Sequence, residues 1–112
     1  MKERVLSGVR STGNLHLGNY FGAIKNFIYM QDNYEAYFFI ANLHALTTHP
    51  NPELLKKSVR ATLVEYIACG LDPEKSTIFV QSDIPEISEL YALLNMLAYK
   101  GELEKCTSLR KK

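Results

Sequence analysis

The sequence predicts an α/β chain: the first half of a doubly wound parallel sheet with flanking helices. Three observations predict it. Short β-favouring runs alternate with stretches of helical period. Two of those runs are apolar on both faces, as buried parallel strands are. The helical stretches carry their own start and stop signals. Strand and helix in strict alternation is the pattern that right-handed crossovers impose on one parallel sheet.

Arg4-Val5-Leu6-Ser7 predicts the first strand. Tyr20, Ile24, Phe27, Ile28 and Gln31 then recur at three- and four-residue steps, which places them on one face of a helix. Tyr37-Phe38-Phe39-Ile40 predicts the second strand, and Leu55, Val59, Leu63, Tyr66 and Ile67 a second helical stripe. That helix is punctuated by Asn51-Pro52-Glu53, a cap, a first-turn proline and an early acid, and by Gly70 beyond its last apolar residues. Asp72-Pro73 blocks continuation, Thr77-Ile78-Phe79-Val80 predicts the third strand, and Ile87, Leu90, Tyr91, Leu94 and Leu97 form a third stripe. Most tyrosines and phenylalanines fall on these stripes and are expected in the core; the third stripe is expected at a subunit interface. A last helix-like segment starts at Gly101. Three strands alone leave sheet edges and apolar helix faces uncovered, so a piece of a larger or oligomer-dependent fold is expected.

The 112 residues suffice for one domain or half of a larger nucleotide-binding unit. A formal net charge of +1 gives no general basis for phosphate-backbone binding over the whole surface. Met1-Lys2-Glu3-Arg4 runs straight into the first strand without a long apolar segment, so a cytoplasmic location is expected. The longest apolar run, Ala36 to Ala41, is far short of the ~20 residues that span a bilayer, and no membrane partner is expected. Cys69 and Cys106 lack paired ligand spacing; free thiols and no metal site are expected.

The segment that carries chemistry runs from Ser7 to Asn19: Ser-Gly-Val-Arg-Ser-Thr-Gly-Asn-Leu-His-Leu-Gly-Asn. It leaves a strand and opens a helix, where free amide hydrogens and the positive dipole end face an anion. Gly18 allows a purine or sugar to lie flat against the turn, and His16 and Asn19 supply polar groups to phosphate or ribose.

His16-Leu17-Gly18-Asn19 resembles the His-x-Gly-His signature of class I aminoacyl-tRNA synthetases in its tryptophanyl version, whose last position is commonly Asn. The likeness continues through Phe38 to Thr47, Ala68-Cys69-Gly70-Leu71-Asp72-Pro73, Phe79 to Glu86 and Gly101-Glu102-Leu103-Glu104, in the family's order over essentially the whole chain. The resemblance to the tryptophanyl-tRNA synthetase family implies a Rossmann-like fold, with residues 1–112 as the amino-terminal portion of its catalytic domain. It implies that the parent enzyme condenses tryptophan with MgATP to tryptophanyl-adenylate and transfers the acyl group to tRNA(Trp), as a homodimer. Carried over residue by residue, His16 and Asn19 are catalytic by charge stabilisation and positioning. Arg10, Ser11, Thr12 and Gly18 join them around ATP, and Leu6, Ser7, Gly8 and His44 border tryptophan. Gln81, at the end of the third strand, is a further candidate for that region.

The pattern also departs from the family. Arg10 and Thr12 stand where many members carry Gln and Ser, Asn42 replaces a frequent Asp, and Ser108 stands where Gln often contacts the amino acid. Nothing matches the second signature, Lys-Met-Ser-Lys-Ser, and the second half of the sheet and the anticodon-binding domain are absent from these residues. The chain alone is therefore expected to be inactive. The terminal Arg110-Lys111-Lys112 run is expected to be a solvated helix end. Two other readings stand beside this one: a tyrosyl-type class I synthetase, and a stand-alone nucleotide-binding or dimerisation module that reuses the half-fold.

Overall fold

The computed structural model describes residues 2–11 and 15–106. Thr12, Ser108 and the Arg110–Lys112 run, all singled out above, lie outside the described residues. Strand β1 (Arg4–Val9) is followed by a one-turn helix α1 (Leu17–Asn19), a π-helical turn (Tyr20–Ile24) and helix α2 (Lys25–Asn33). Next come β2 (Glu35–Ile40), short α3 (Asn42–Ala45) with a 3-10 turn (Leu46–Thr48), and the long helix α4 (Pro52–Ala68). The chain continues through β3 (Ser76–Val80), a 3-10 turn (Gln81–Asp83), α5 (Pro85–Leu97) and α6 (Lys100–Leu103). The three strands form one parallel sheet in the order β1-β2-β3, which is the predicted half of a doubly wound fold. The π-helical turn was not legible in the sequence: the apolar spacing from Tyr20 to Ile28 fits an uninterrupted α-helix equally well.

Parallel pairing places Val5, Ser7 and Val9 beside Ala36, Phe38 and Ile40, and these beside Ser76, Ile78 and Val80. Because side chains alternate along a strand, all of them share one face. Helices α2 and α4 cover that face. Phe27 stacks on Phe38 with ring centroids 4.4 Å apart and meets Tyr66 edge-on at 6.2 Å. Ile24, Phe38, Ile40 and Tyr66 are the largest fully buried side chains. Burial pushes the Tyr66 phenol far up from its ordinary pKa.

A second core device is polar. Gln31, on the inner face of α2, is buried; its Nε2 donates to the Gly70 carbonyl (3.1 Å) and its Oε1 accepts from the Asp72 amide (2.8 Å). Both backbone groups belong to the turn between α4 and β3, where Gly70 takes φ +110°. The buried Gln31 amide thus has both its donor and its acceptor satisfied by one turn, and ties α2 to it.

The opposite face of the sheet carries Arg4, Leu6 and Gly8, paired with Glu35, Tyr37 and Phe39, and then Thr77 and Phe79. Leu6 is two-thirds exposed there. At its amino end Arg4 Nε donates to Glu35 Oε2 (3.0 Å) and the Tyr37 hydroxyl donates to Glu35 Oε1 (2.7 Å). The Tyr37 hydrogen bond, with Arg4 second, holds the Glu35 carboxyl below its usual range. Helix α5 contacts chiefly the turn before it, and Leu90, Tyr91, Leu93, Leu94, Met96 and Leu97 all lie exposed. Periodicity found this helix, and its apolar stripe has nothing against it among the described residues.

Candidate nucleotide and amino-acid site

Register aligns the carboxyl ends of the strands at Val9, Ile40 and Val80. In open α/β sheets ligands collect beyond these ends. The sequence places its polar residues there: Arg10 and Ser11 after β1, Asn42 and His44 after β2, and Gln81 and Ser82 after β3.

His16 and Asn19 form a reciprocal cap. His16 Nδ1 accepts from the Asn19 amide (3.3 Å), while the His16 amide donates to Asn19 Oδ1 (3.2 Å). Their spacing is that of a capping box, with imidazole in the role usually taken by a hydroxyl. In the sequence they are two separate polar groups; the structure joins them into one unit. Gly18 has a job in that unit. A Cβ on it would lie 2.9 Å from His16 Cε1, so glycine makes room for the ring that caps the turn.

Leu6 and Gly8 share the open face, whereas Ser7 between them pairs with Phe38 on the covered face. Gly8 lets β1 approach β2: a Cβ there would stand 2.6 Å from the Phe39 carbonyl oxygen and 2.7 Å from two atoms of the Phe39 ring. The Phe39 ring stands 5.9 Å from that of Phe79, which extends the aromatic surface across the sheet. His44 is exposed on short α3, four residues beyond the end of β2, and its carbonyl accepts from the Thr47 hydroxyl. Gln81 is half-buried, with its Oε1 unpartnered among the described residues.

Asn42 and Ser82 tie the ends of β2 and β3 together. Asn42 Nδ2 donates to Ser82 Oγ (2.8 Å), and Asn42 Oδ1 accepts from the Ser82 amide (3.1 Å). An aspartate could accept the second bond and would lack the first donor. Arg10 and Ser11 line a pocket of about 250 Å³ with Ala45, Thr48, Leu55 and Ser58. Ser11 is buried and its hydroxyl has no partner among the described residues.

One contact has no sequence signal at all. The amide of Leu15, just before the cap, donates to Glu65 Oε1 of α4 at 3.3 Å, across 50 positions of chain.

The corner therefore combines an exposed cation, a capped helix start and a close strand pair beside an aromatic face. Comparison with known proteins fits this arrangement: the family described as tRNA synthetases class I (W and Y) matches residues 1–112. The chain belongs to the class I tRNA synthetases. Within that family it is 61% identical over 110 residues to the tryptophan--tRNA ligase of Porphyromonas gingivalis, covering 98% of this chain and 34% of the relative. Tryptophanyl-tRNA synthetase from Campylobacter jejuni superposes with a TM-score of 0.90 at 39% identity, over 100% of this chain and 35% of that one. A structure of the Campylobacter protein complexed with ADP and tryptophan matches at 40% identity and a TM-score of 0.88, over 96% of this chain and 34% of that one. This class I synthetase chain thus spans about a third of the length of these relatives and matches their amino-terminal part.

Proposed function

We propose that this chain is the amino-terminal part of a tryptophan--tRNA ligase, and that the complete protein activates tryptophan with MgATP and charges tRNA(Trp). The observation that carries the reading is likeness sustained across the whole chain, in sequence and in fold, to proteins of that name. A carboxylate oxygen of tryptophan attacks the α-phosphorus of ATP, and pyrophosphate leaves. A hydroxyl of the terminal adenosine of the tRNA then attacks the acyl carbon of the adenylate, and AMP leaves.

In this reading the protein supplies alignment and compensating charge rather than a covalent intermediate. His16 and Asn19 hold the helix start at which ATP phosphates gather, and Gly18 keeps that surface low. Arg10, Ser11 and Thr12 complete the ATP side; the Arg10 guanidinium offers charge-assisted hydrogen bonds to the α-phosphate or the substrate carboxylate. Leu6, Gly8 and His44 border tryptophan, and Ser7 does so through its backbone, its side chain lying on the covered face. Mg2+ enters with ATP as substrate. The parent acts in the cytoplasm as a homodimer, and tRNA is held mostly by segments beyond these residues.

Tryptophan-dependent exchange of labelled pyrophosphate into ATP tests the reading. The full-length protein should catalyse exchange with tryptophan and not with tyrosine, and residues 1–112 alone should not. Tyrosine-dependent exchange, or none with either amino acid, would overturn it.

A further inference from the structure

We infer that Glu65 is a positioning residue for the nucleotide-binding turn, an inference that rests on the ATP site proposed above. The chain leaves β1 at Val9 and re-enters helix at Leu17. Whatever holds the last residues of that excursion sets the angle at which His16, Gly18 and Asn19 meet an anion. At Leu15 the holding group is the Glu65 carboxylate, reaching back from α4 with Oε1 on the Leu15 amide (3.3 Å). Leu15 also packs on the core cluster, so the turn is pinned by its side chain and its amide together.

The second carboxylate oxygen carries the argument further. Glu65 Oε2 is buried and has no partner among the described residues. Burying an ionisable oxygen without a partner is unfavourable, and a carboxylate kept in that position marks a constraint beyond packing. Glu65 lines a void of about 10 Å³ together with Arg10, Asn19 and Tyr66, and Tyr66 has its own buried, unpartnered hydroxyl. The carboxylate therefore sits on one small cavity with a residue from each end of the turn: Arg10, the cation proposed for the substrate anion, and Asn19, half of the cap. It anchors the turn through Leu15 and shares the lining of that cavity with Arg10.

A merely structural glutamate and a positioning one give different kinetics. In the full-length protein, Glu65→Ala is expected to raise KM for ATP in pyrophosphate exchange about tenfold, the equivalent of losing one charge-assisted hydrogen bond. KM for tryptophan should stay within about twofold, since the amino-acid pocket rests on β1 and β2. Glu65→Gln keeps an acceptor at the same reach and should hold KM for ATP within about threefold of wild type. The inference fails if Glu65→Ala raises both KM values alike, leaves KM for ATP unchanged, or is not rescued by the glutamine variant. If the wild-type protein shows no tryptophan-dependent exchange, the functional reading fails instead, and amide hydrogen exchange decides the role of Glu65. Faster exchange at Leu15 in Glu65→Ala, with α4 still protected, supports it; unchanged protection at Leu15 overturns it.

Discussion

Substituting Gly8 by alanine tests whether strand spacing at the site is set by the missing side chain. The added carbon would sit 2.6 Å from the Phe39 carbonyl oxygen and 2.7 Å from Phe39 Cδ2 and Cε2. The ring can turn away; the carbonyl belongs to the paired strand and cannot move without opening the Gly8 and Phe39 register. Restoring an ordinary separation of about 3.5 Å from 2.6 Å parts the strands by about 0.9 Å at that point. Overpacking of that kind costs about 1–3 kcal/mol. For about 2 kcal/mol and a urea slope of about 2 kcal/mol/M, the unfolding midpoint of the full-length protein falls by about 1 M. Far-ultraviolet circular dichroism reads this directly. Adding Phe39→Val removes the ring contacts and leaves the carbonyl contact, so the double variant should recover less than half of the Gly8→Ala loss after the cost of Phe39→Val is subtracted. A midpoint within about 0.2 M of wild type for Gly8→Ala would refute the argument, as would full recovery in the double variant.

Gln31→Leu removes the hydrogen bonds to the Gly70 carbonyl and the Asp72 amide together; it should cost about 1–3 kcal/mol in urea unfolding, above an ordinary surface change. Tyr66→Phe removes a buried hydroxyl with no partner among the described residues, so stability should be unchanged or slightly higher, and a loss above about 1 kcal/mol would contradict the assignment. Glu35 has its folded pKa held below the ordinary value of 4.5, so its ionised contacts stabilise the fold above that pH. They are lost as pH falls through the folded pKa. Midpoints measured from pH 6 downward should therefore show the gap between wild type and Glu35→Gln closing in acid; a constant gap would contradict it.

The strands, the long helix and its cap were legible because their signals are local. Asn51 does accept from the Glu53 and Leu54 amides, as the Asn-Pro-Glu spacing implies. Gln31 was read as part of an apolar stripe, which gave its face and missed its chemistry, since the groups it serves lie some forty positions away. Glu65 was invisible for the same reason. On a helix its spacing is that of any solvated acid; only the crossover brings α4 over the turn at Leu15. The sequence marks Gly18 as a point of close approach to a ligand; the structure adds a neighbouring ring against Gly18 and a paired strand against Gly8. Sequence spacing tells that a side chain must be missing and does not tell what occupies the space.

The His16 cap has a consequence for proton placement. With Nδ1 accepting from the Asn19 amide, the neutral ring carries its hydrogen on Nε2. One nitrogen is turned inward to hold the helix start, so the other faces outward as a donor in a fixed tautomer. Whatever lies against it must accept, which suits a phosphate oxygen and excludes a ligand that presents only N–H groups at that point.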